Sequence, residues 1–208
     1  SVSFYITAYG EVLPASDSQA ERAHRVFNRV RAVADKSSKR LPQLVIVNSE
    51  ADPWALALPD GHIVLSRKAV AICHHQVDVL EAEARLAFVL GHELAHLAHD
   101  DFWHREVYAF VLNTPDIKKN IAVGFQENAS RAIEIELAAD DAGFIYAALA
   151  GFPVDRLVRT RNNKPQFFEY WMRQSHRRAN GRQPTTSQRT QLLLQRLNDL
   201  EEKIAMFH

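Results

Sequence analysis

The stretch "GHELAHLAHDD", residues 91–101, places three histidines and a glutamate in a run that is otherwise rich in alanine and leucine. His92 and His96 are four residues apart, so on a helix their side chains share one face, with Cβ atoms roughly 5–6 Å apart. Two imidazoles placed in this way can bind one divalent ion, and the adjacent Glu93 can take a proton from a water that the ion activates. A polar stripe on a buried helix is the alternative, because the pattern also arises by chance.

A catalytic zinc needs a third protein ligand and an open fourth position. His99 is the nearest candidate, but on an unbroken helix it lies about 10 Å along the axis from His92. No glycine that could break the helix stands between His96 and His99. We therefore expect His99 to face solvent or to support the site without binding the ion.

The acidic residues of "EIELAADDAGF", residues 134–144, offer a better third ligand. Glu136 and Asp140 are four residues apart and share a helical face, whereas Glu134 points elsewhere. Glu136 can bind the ion, and Asp140 can accept a hydrogen bond from the outer nitrogen of a ligand histidine. The two alanines that precede Asp140 allow this helix to approach the first one closely. A solvated acidic face is the alternative.

The composition argues against several other classes of function. Lys+Arg and Asp+Glu both number 25, so bulk charge indicates neither a nucleic-acid partner nor an acidic membrane surface. Cys73 is the only cysteine, which excludes an intrachain disulfide and a cysteine-based metal cluster. No run approaches the ~20 apolar residues that cross a bilayer. We expect a soluble chain without membrane insertion, and its compartment and any cell-envelope association through other segments stay open.

The pattern of apolar and turn residues on either side of residues 91–101 predicts an α+β fold in one domain, residues 1–208. Strands are expected within the first 15 residues, at 44–48, and as a hairpin of 54–58 with 62–66. Helices are expected at 18–35, capped by Ser18 and Glu21, at 78–100, capped by Asp78 and Glu81, and at 129–150 and 187–206. We expect 102–128 to form a short helix with a loop or lid, and 177–187 to be flexible.

Two segments together resemble a known family. "HELAH" at 92–96 and "ELAAD" at 136–140 are similar to the H-E-x-x-H and E-x-x-A-D motifs of the HtpX and CAAX-prenyl-protease type zinc metallopeptidases, within the gluzincins. Three further segments resemble the family in the same order: "DPWALALPDGHIVLS" at 52–66, "AGFPVDRLV" at 150–158 and "QPTTSQR" at 183–189. The resemblance covers about half of the chain.

The resemblance implies a zinc-dependent endopeptidase with a mainly helical gluzincin core and a small β-sheet ahead of the active-site helix. One Zn²⁺ would be bound by His92, His96 and Glu136, with Glu93 as general base and Asp140 supporting a ligand. A peptide substrate would lie antiparallel along an edge strand, here 54–58, by main-chain hydrogen bonds. An ordinary core strand is the alternative for that segment. Fused or associated regulatory domains are also compatible with this family.

Two residues depart from the family pattern. Trp54 stands where asparagine is common, and Gln183 stands where a histidine usually precedes the proline. The group that would stabilise the oxyanion is therefore unassigned: Arg189 matches the family's arginine, while His176 and Tyr170 are further candidates. These departures support a second hypothesis, a latent module that binds zinc and extended peptides without turnover. A hydrolase of non-peptide substrates is a third, and it would need a closed pocket in place of a groove.

Overall fold

The structure is a computed structural model that describes residues 2–36, 41–100, 122–159, 167–174 and 184–206. The strands in these ranges are β1 (Gln43–Val47), β2 (Ala55–Ala57) and β3 (His62–Ser66). The helices are α1 (Val2–Tyr9), α2 (Ser18–Val33), α3 (Arg67–Cys73), α4 (Val79–His99), α5 (Ala122–Leu149), α6 (Asp155–Val158), α7 (Phe167–Gln174) and α8 (Thr186–Met206). A small sheet ahead of a mainly helical remainder confirms the α+β prediction.

The three strands form one sheet in the order β1-β3-β2. β2 and β3 pair antiparallel around a turn in which Gly61 adopts a φ of 91°, a conformation that glycine adopts without steric cost. The predicted hairpin is thus confirmed. β1 joins the other side of β3 in parallel, with Gln43 opposite His62 and Val47 opposite Ser66. Within the described residues, β2 lies at an edge of the sheet.

The two faces of the sheet bury different side chains. The face that carries Ile46, Ala57 and Leu65 belongs to the main core, which the helices complete. The opposite face is covered by a smaller group in which Trp54 packs with Leu58 and two valines. Trp54, which departs from the family pattern, therefore packs its side chain on this second face of the sheet.

α4 is the central helix of the described core. It begins after Asp78, whose carboxylate accepts a hydrogen bond from the N–H of Glu81 at 2.9 Å, as the sequence predicts. Its residues from Ala84 to Leu97 are buried. The helix ends at His99, since Asp100 adopts a left-handed conformation with a φ of 53°.

Two predictions for the early chain are wrong. Val2–Tyr9 forms α1 where a strand was expected, and the extended segment comes later: Val12 bridges to Val47. β-branched and aromatic content is a weak guide, because strand formation depends on a partner strand. The cap of α2 is Asp17, whose carboxylate accepts hydrogen bonds from the N–H groups of Gln19 and Ala20, so the predicted cap Ser18 is already inside the helix.

The later helices follow the predictions closely. α5 extends the expected 129–150 helix back to Ala122 and ends before Gly151, which adopts a φ of 80°. α8 matches the expected last helix within one residue. The predicted lid lies outside the described residues as far as residue 121, and so do residues 177–183 of the predicted flexible stretch. No helix in the described ranges is long and apolar enough to span a bilayer.

Candidate metal centre

Three potential metal ligands meet where α4 and α5 pack together. The Nε2 atoms of His92 and His96 lie 3.1 Å apart. Glu136 completes the group, with one carboxylate oxygen 3.5 Å from His92 Nε2 and the other 3.7 Å from His96 Nε2. Ligand atoms arranged tetrahedrally at about 2.0–2.1 Å from zinc lie about 3.3 Å from one another. The donor set and its spacing therefore fit a zinc ion held by two imidazoles and a carboxylate.

The contact between the helices depends on two glycines. A Cβ atom added to Gly143 of α5 would lie 2.6 Å from His92 N and 3.0 Å from its Cα. One added to Gly91 of α4 would lie 2.8 Å from the carbonyl oxygen of Gly143. Real Cβ atoms do not approach backbone atoms this closely, so a side chain at either position would force the helices apart. The ligands of the two helices come together because backbone packs directly on backbone.

Asp140 fixes the orientation of the His92 ring. Its Oδ1 atom lies 2.9 Å from His92 Nδ1, so that the opposite ring nitrogen faces His96 and Glu136. Asp140 is fully buried, and it also accepts hydrogen bonds from Arg189 of α8: Nε donates to Oδ2 at 2.6 Å and Nη2 donates to Oδ1. These contacts run from Arg189 through Asp140 to His92. Three helices, α8, α5 and α4, thus determine the orientation of one candidate ligand nitrogen.

The electrostatics of the pocket favour a cation. Burial by itself lowers the pKa of His92, but hydrogen bonds and negative charge from Asp140 and Glu136 outweigh it and raise that pKa to about 10. Burial raises the pKa of Asp140, but the Arg189 charge and the bond to His92 outweigh it and the net shift is downward. The carboxylates therefore hold negative charge close to the imidazoles, which favours binding of a divalent ion.

Glu93 lies on the next position of α4 and is buried. Its Oε2 atom accepts a hydrogen bond from the main-chain N–H of Ala57 in β2 at 2.7 Å. Because successive residues of a helix point about 100° apart, this carboxylate leaves α4 beside the ligand face and not within it. The arrangement gives a carboxylate that adjoins the metal centre without belonging to the ligand set.

Several other predicted candidates lie elsewhere. His99 is exposed at the end of α4 and is not among the three residues that converge. The ring of Tyr170 stacks on His75, with centroids 4.9 Å apart. Arg189 lies beside the centre, where its guanidinium donates two hydrogen bonds to Asp140. His176, and Gln183 at the position of the family's histidine, fall outside the described residues.

Two features of the centre were not anticipated. Ala138 and Ala139 were expected to allow the close approach of the helices; Ala139 is buried but Ala138 is exposed, and Gly91 and Gly143 make the close backbone contact. A glycine inside each apolar helix was the available signal, since mid-helix glycine costs stability unless packing requires it. The bond from Ala57 to Glu93 left no such signal, because it involves a main-chain group.

Comparison with known families agrees with this geometry. The family model described as Peptidase family M48 matches residues 17–134, more than half of the 208 residues. The matched region contains α2, the sheet and α4, and it ends just before Glu136, so the third ligand rests on the geometry of the pocket. A comparison with curated proteins found no match.

Proposed function

This chain belongs to peptidase family M48, and we propose that it is a zinc-dependent endopeptidase, with residues 1–208 forming one catalytic domain of the gluzincin type. The observation that carries the proposal is the convergence of His92, His96 and Glu136 beside a buried carboxylate, Glu93. A polar stripe on a helix would not bring a third ligand from a second helix to the same point. Family membership by itself supports the broader statement that the chain is a metallopeptidase.

His92, His96 and Glu136 would hold the zinc ion. The chemistry that zinc supplies in such a site is Lewis acidity, which polarises a carbonyl and acidifies a water. With the ion bound, Asp140 would keep the remaining proton of His92 on Nδ1, so that Nε2 could present its lone pair to the ion. Arg189 balances the buried charge of Asp140, which makes it a positioning residue that acts through that carboxylate.

Glu93 would move the proton that the reaction requires. Its Oε2 atom is engaged by Ala57, so Oε1 is the atom available to take a proton from the attacking water. The water oxygen forms a bond to the peptide carbon, the C–N bond breaks, and Glu93 delivers the proton to the leaving nitrogen. The carboxylate of Glu93 is thereby restored.

The edge position of β2 supports a peptide substrate in an extended conformation. A strand at a sheet edge presents main-chain groups to a second chain, and peptide recognition by strand addition uses these groups. β2 is connected to Glu93 by the Ala57 bond, so a peptide laid along it passes next to the candidate base. Regulatory domains fused to or associated with this chain are compatible with such a groove.

Zinc dependence is the first test. Purified protein treated with a chelator should lose cleavage of casein or of a fluorogenic peptide library, and stoichiometric zinc should restore it. Glu93→Gln should bind zinc with wild-type affinity while kcat/KM falls by roughly 10²–10⁴, the range for loss of a general base. Zinc content is measured by elemental analysis on the same samples.

Glu134→Gln is the matched control, because Glu134 is an exposed glutamate of α5 and the substitution is chemically identical. It should leave both zinc content and cleavage unchanged. Wild-type protein that binds zinc but cleaves none of the peptides would instead support the latent module. Normal cleavage by Glu93→Gln would remove Glu93 from the mechanism.

A further inference from the structure

The outer edge of β2 presents a defined set of main-chain groups. Two hydrogen bonds flank the strand and connect it to β3, from Leu58 N to His62 O at 2.7 Å and from Ser66 N to Trp54 O at 3.0 Å. In an antiparallel pair, the residues that alternate with such bonded positions direct their N–H and C=O groups away from the neighbouring strand. Ala55 and Ala57 are these alternate residues. Their main-chain groups therefore point toward the edge where a peptide would lie.

One of these edge groups is already engaged. Ala57 N–H donates to Glu93 Oε2 at 2.7 Å, and both residues are buried. Hydrogen bonds to a charged acceptor are among the stronger ones in proteins, and burial strengthens them further. A glutamate side chain has three rotatable bonds, so one fixed oxygen removes much of its freedom.

We propose that the main-chain N–H of Ala57 is the positioning group for the general base. It holds Oε2 of Glu93 against β2 and thereby directs Oε1 to the place where the proton is taken. This inference rests on the proposed function, since it assigns a role in that reaction. Proton transfer requires the base within hydrogen-bond reach, and a misplacement of about 1 Å can cost on the order of 100-fold in rate.

The same bond also sets which groups of β2 a substrate can use. Because the donor of Ala57 is occupied by Glu93, a docked peptide finds an edge donor at Ala55 and acceptors at Ala55 and Ala57. Substrate and base are then positioned by one strand. Loss of the Ala57 donor should consequently affect kcat, whereas loss of the Ala55 donor should affect peptide binding and KM.

A pair of proline variants tests this split. Proline removes the N–H from either residue without breaking the β2–β3 bonds, because neither donor points toward β3. For zinc-loaded Ala57→Pro we expect kcat to fall about 100-fold with KM within about threefold of wild type. For zinc-loaded Ala55→Pro we expect KM to rise about three- to tenfold, from loss of one hydrogen bond, without the fall in kcat. Equal kcat values for the two variants would overturn the proposal.

Amide hydrogen exchange tests the contact in the full chain without proline and without turnover. In ¹⁵N-labelled protein, the Ala57 amide should exchange slowly, and Glu93→Ala should accelerate its exchange about tenfold or more while the Ala55 amide is unaffected. Glu93→Gln, which keeps an acceptor oxygen, should retain part of the protection. Fast exchange at Ala57 in the wild type would refute the contact. Absence of zinc-dependent cleavage by wild-type protein would instead refute the proposed function, and this exchange pattern separates the two failures.

Discussion

The substitution Gly143→Ala tests whether the spacing of α4 and α5 sets zinc affinity. The added Cβ would lie 2.6 Å from His92 N, and an ordinary contact begins near 3.4 Å, so the backbones must separate by about 0.8 Å at this point. Both contact atoms belong to backbone, so rotation of a side chain cannot relieve the overlap. Metal–ligand distances tolerate only about 0.2 Å. The displacement at His92, a proposed zinc ligand, is thus several times larger than the metal–ligand distances can tolerate.

Stability and zinc affinity should respond differently to this change. Overpacking in a core costs about 1–3 kcal/mol, while alanine in place of a mid-helix glycine returns about 1 kcal/mol. The net loss is therefore about 0–2 kcal/mol, or a decrease in Tm of up to about 8 °C for a chain of this size. Zinc affinity should fall at least about tenfold, because displaced ligands affect the site no less than loss of a supporting residue does.

A competition titration with a chromogenic zinc chelator, together with thermal unfolding followed by circular dichroism, measures both effects. Ala147→Gly is the control, since Ala147 is buried in the same helix and its replacement costs stability without pushing α4 away. It should lower Tm at unchanged zinc affinity. Wild-type zinc affinity in Gly143→Ala would refute the argument that glycine contact brings the ligands together.

Two further predictions concern buried side chains of α5, Asp140 and Tyr146. Asp140→Asn should weaken zinc binding about 10–100-fold. It should also destabilise the fold by about 3 kcal/mol, because Arg189 then loses its buried counter-charge. Competition titration and urea unfolding measure these effects, and unchanged zinc affinity would contradict the role given to Asp140. Burial and the bond to Asp35 raise the pKa of Tyr146 to about 12, against about 10 in an unfolded chain. The stability that the protonated Tyr146 contributes is therefore complete below pH 10 and is lost as pH rises to 12. In urea unfolding, Tyr146→Phe should be about 1 kcal/mol less stable than wild type at pH 8, and this disadvantage should shrink as pH rises from 10 to 12; a constant difference would contradict this assignment.

Much of the local structure was predictable because its causes are local. The spacing of His92 and His96 determines a shared face on any helix, and Asp78 caps α4 through a bond to a residue only three positions later. The hairpin was predictable from Pro59-Asp60-Gly61 between two apolar runs. Where the outcome depended on a partner strand, as for Val2–Tyr9, composition gave the wrong element.

The sequence by itself determined which side chains could serve a metal centre: two histidines and a glutamate on one helix, and an acidic pair on another. Only the tertiary structure decided how they meet. Gly91 and Gly143 set the distance between the helices, and Ala57 binds Glu93 from a strand 36 residues earlier in the chain. The physical reason is that helix periodicity is a property of neighbouring residues, whereas backbone contact and main-chain hydrogen bonds between distant segments exist only after packing.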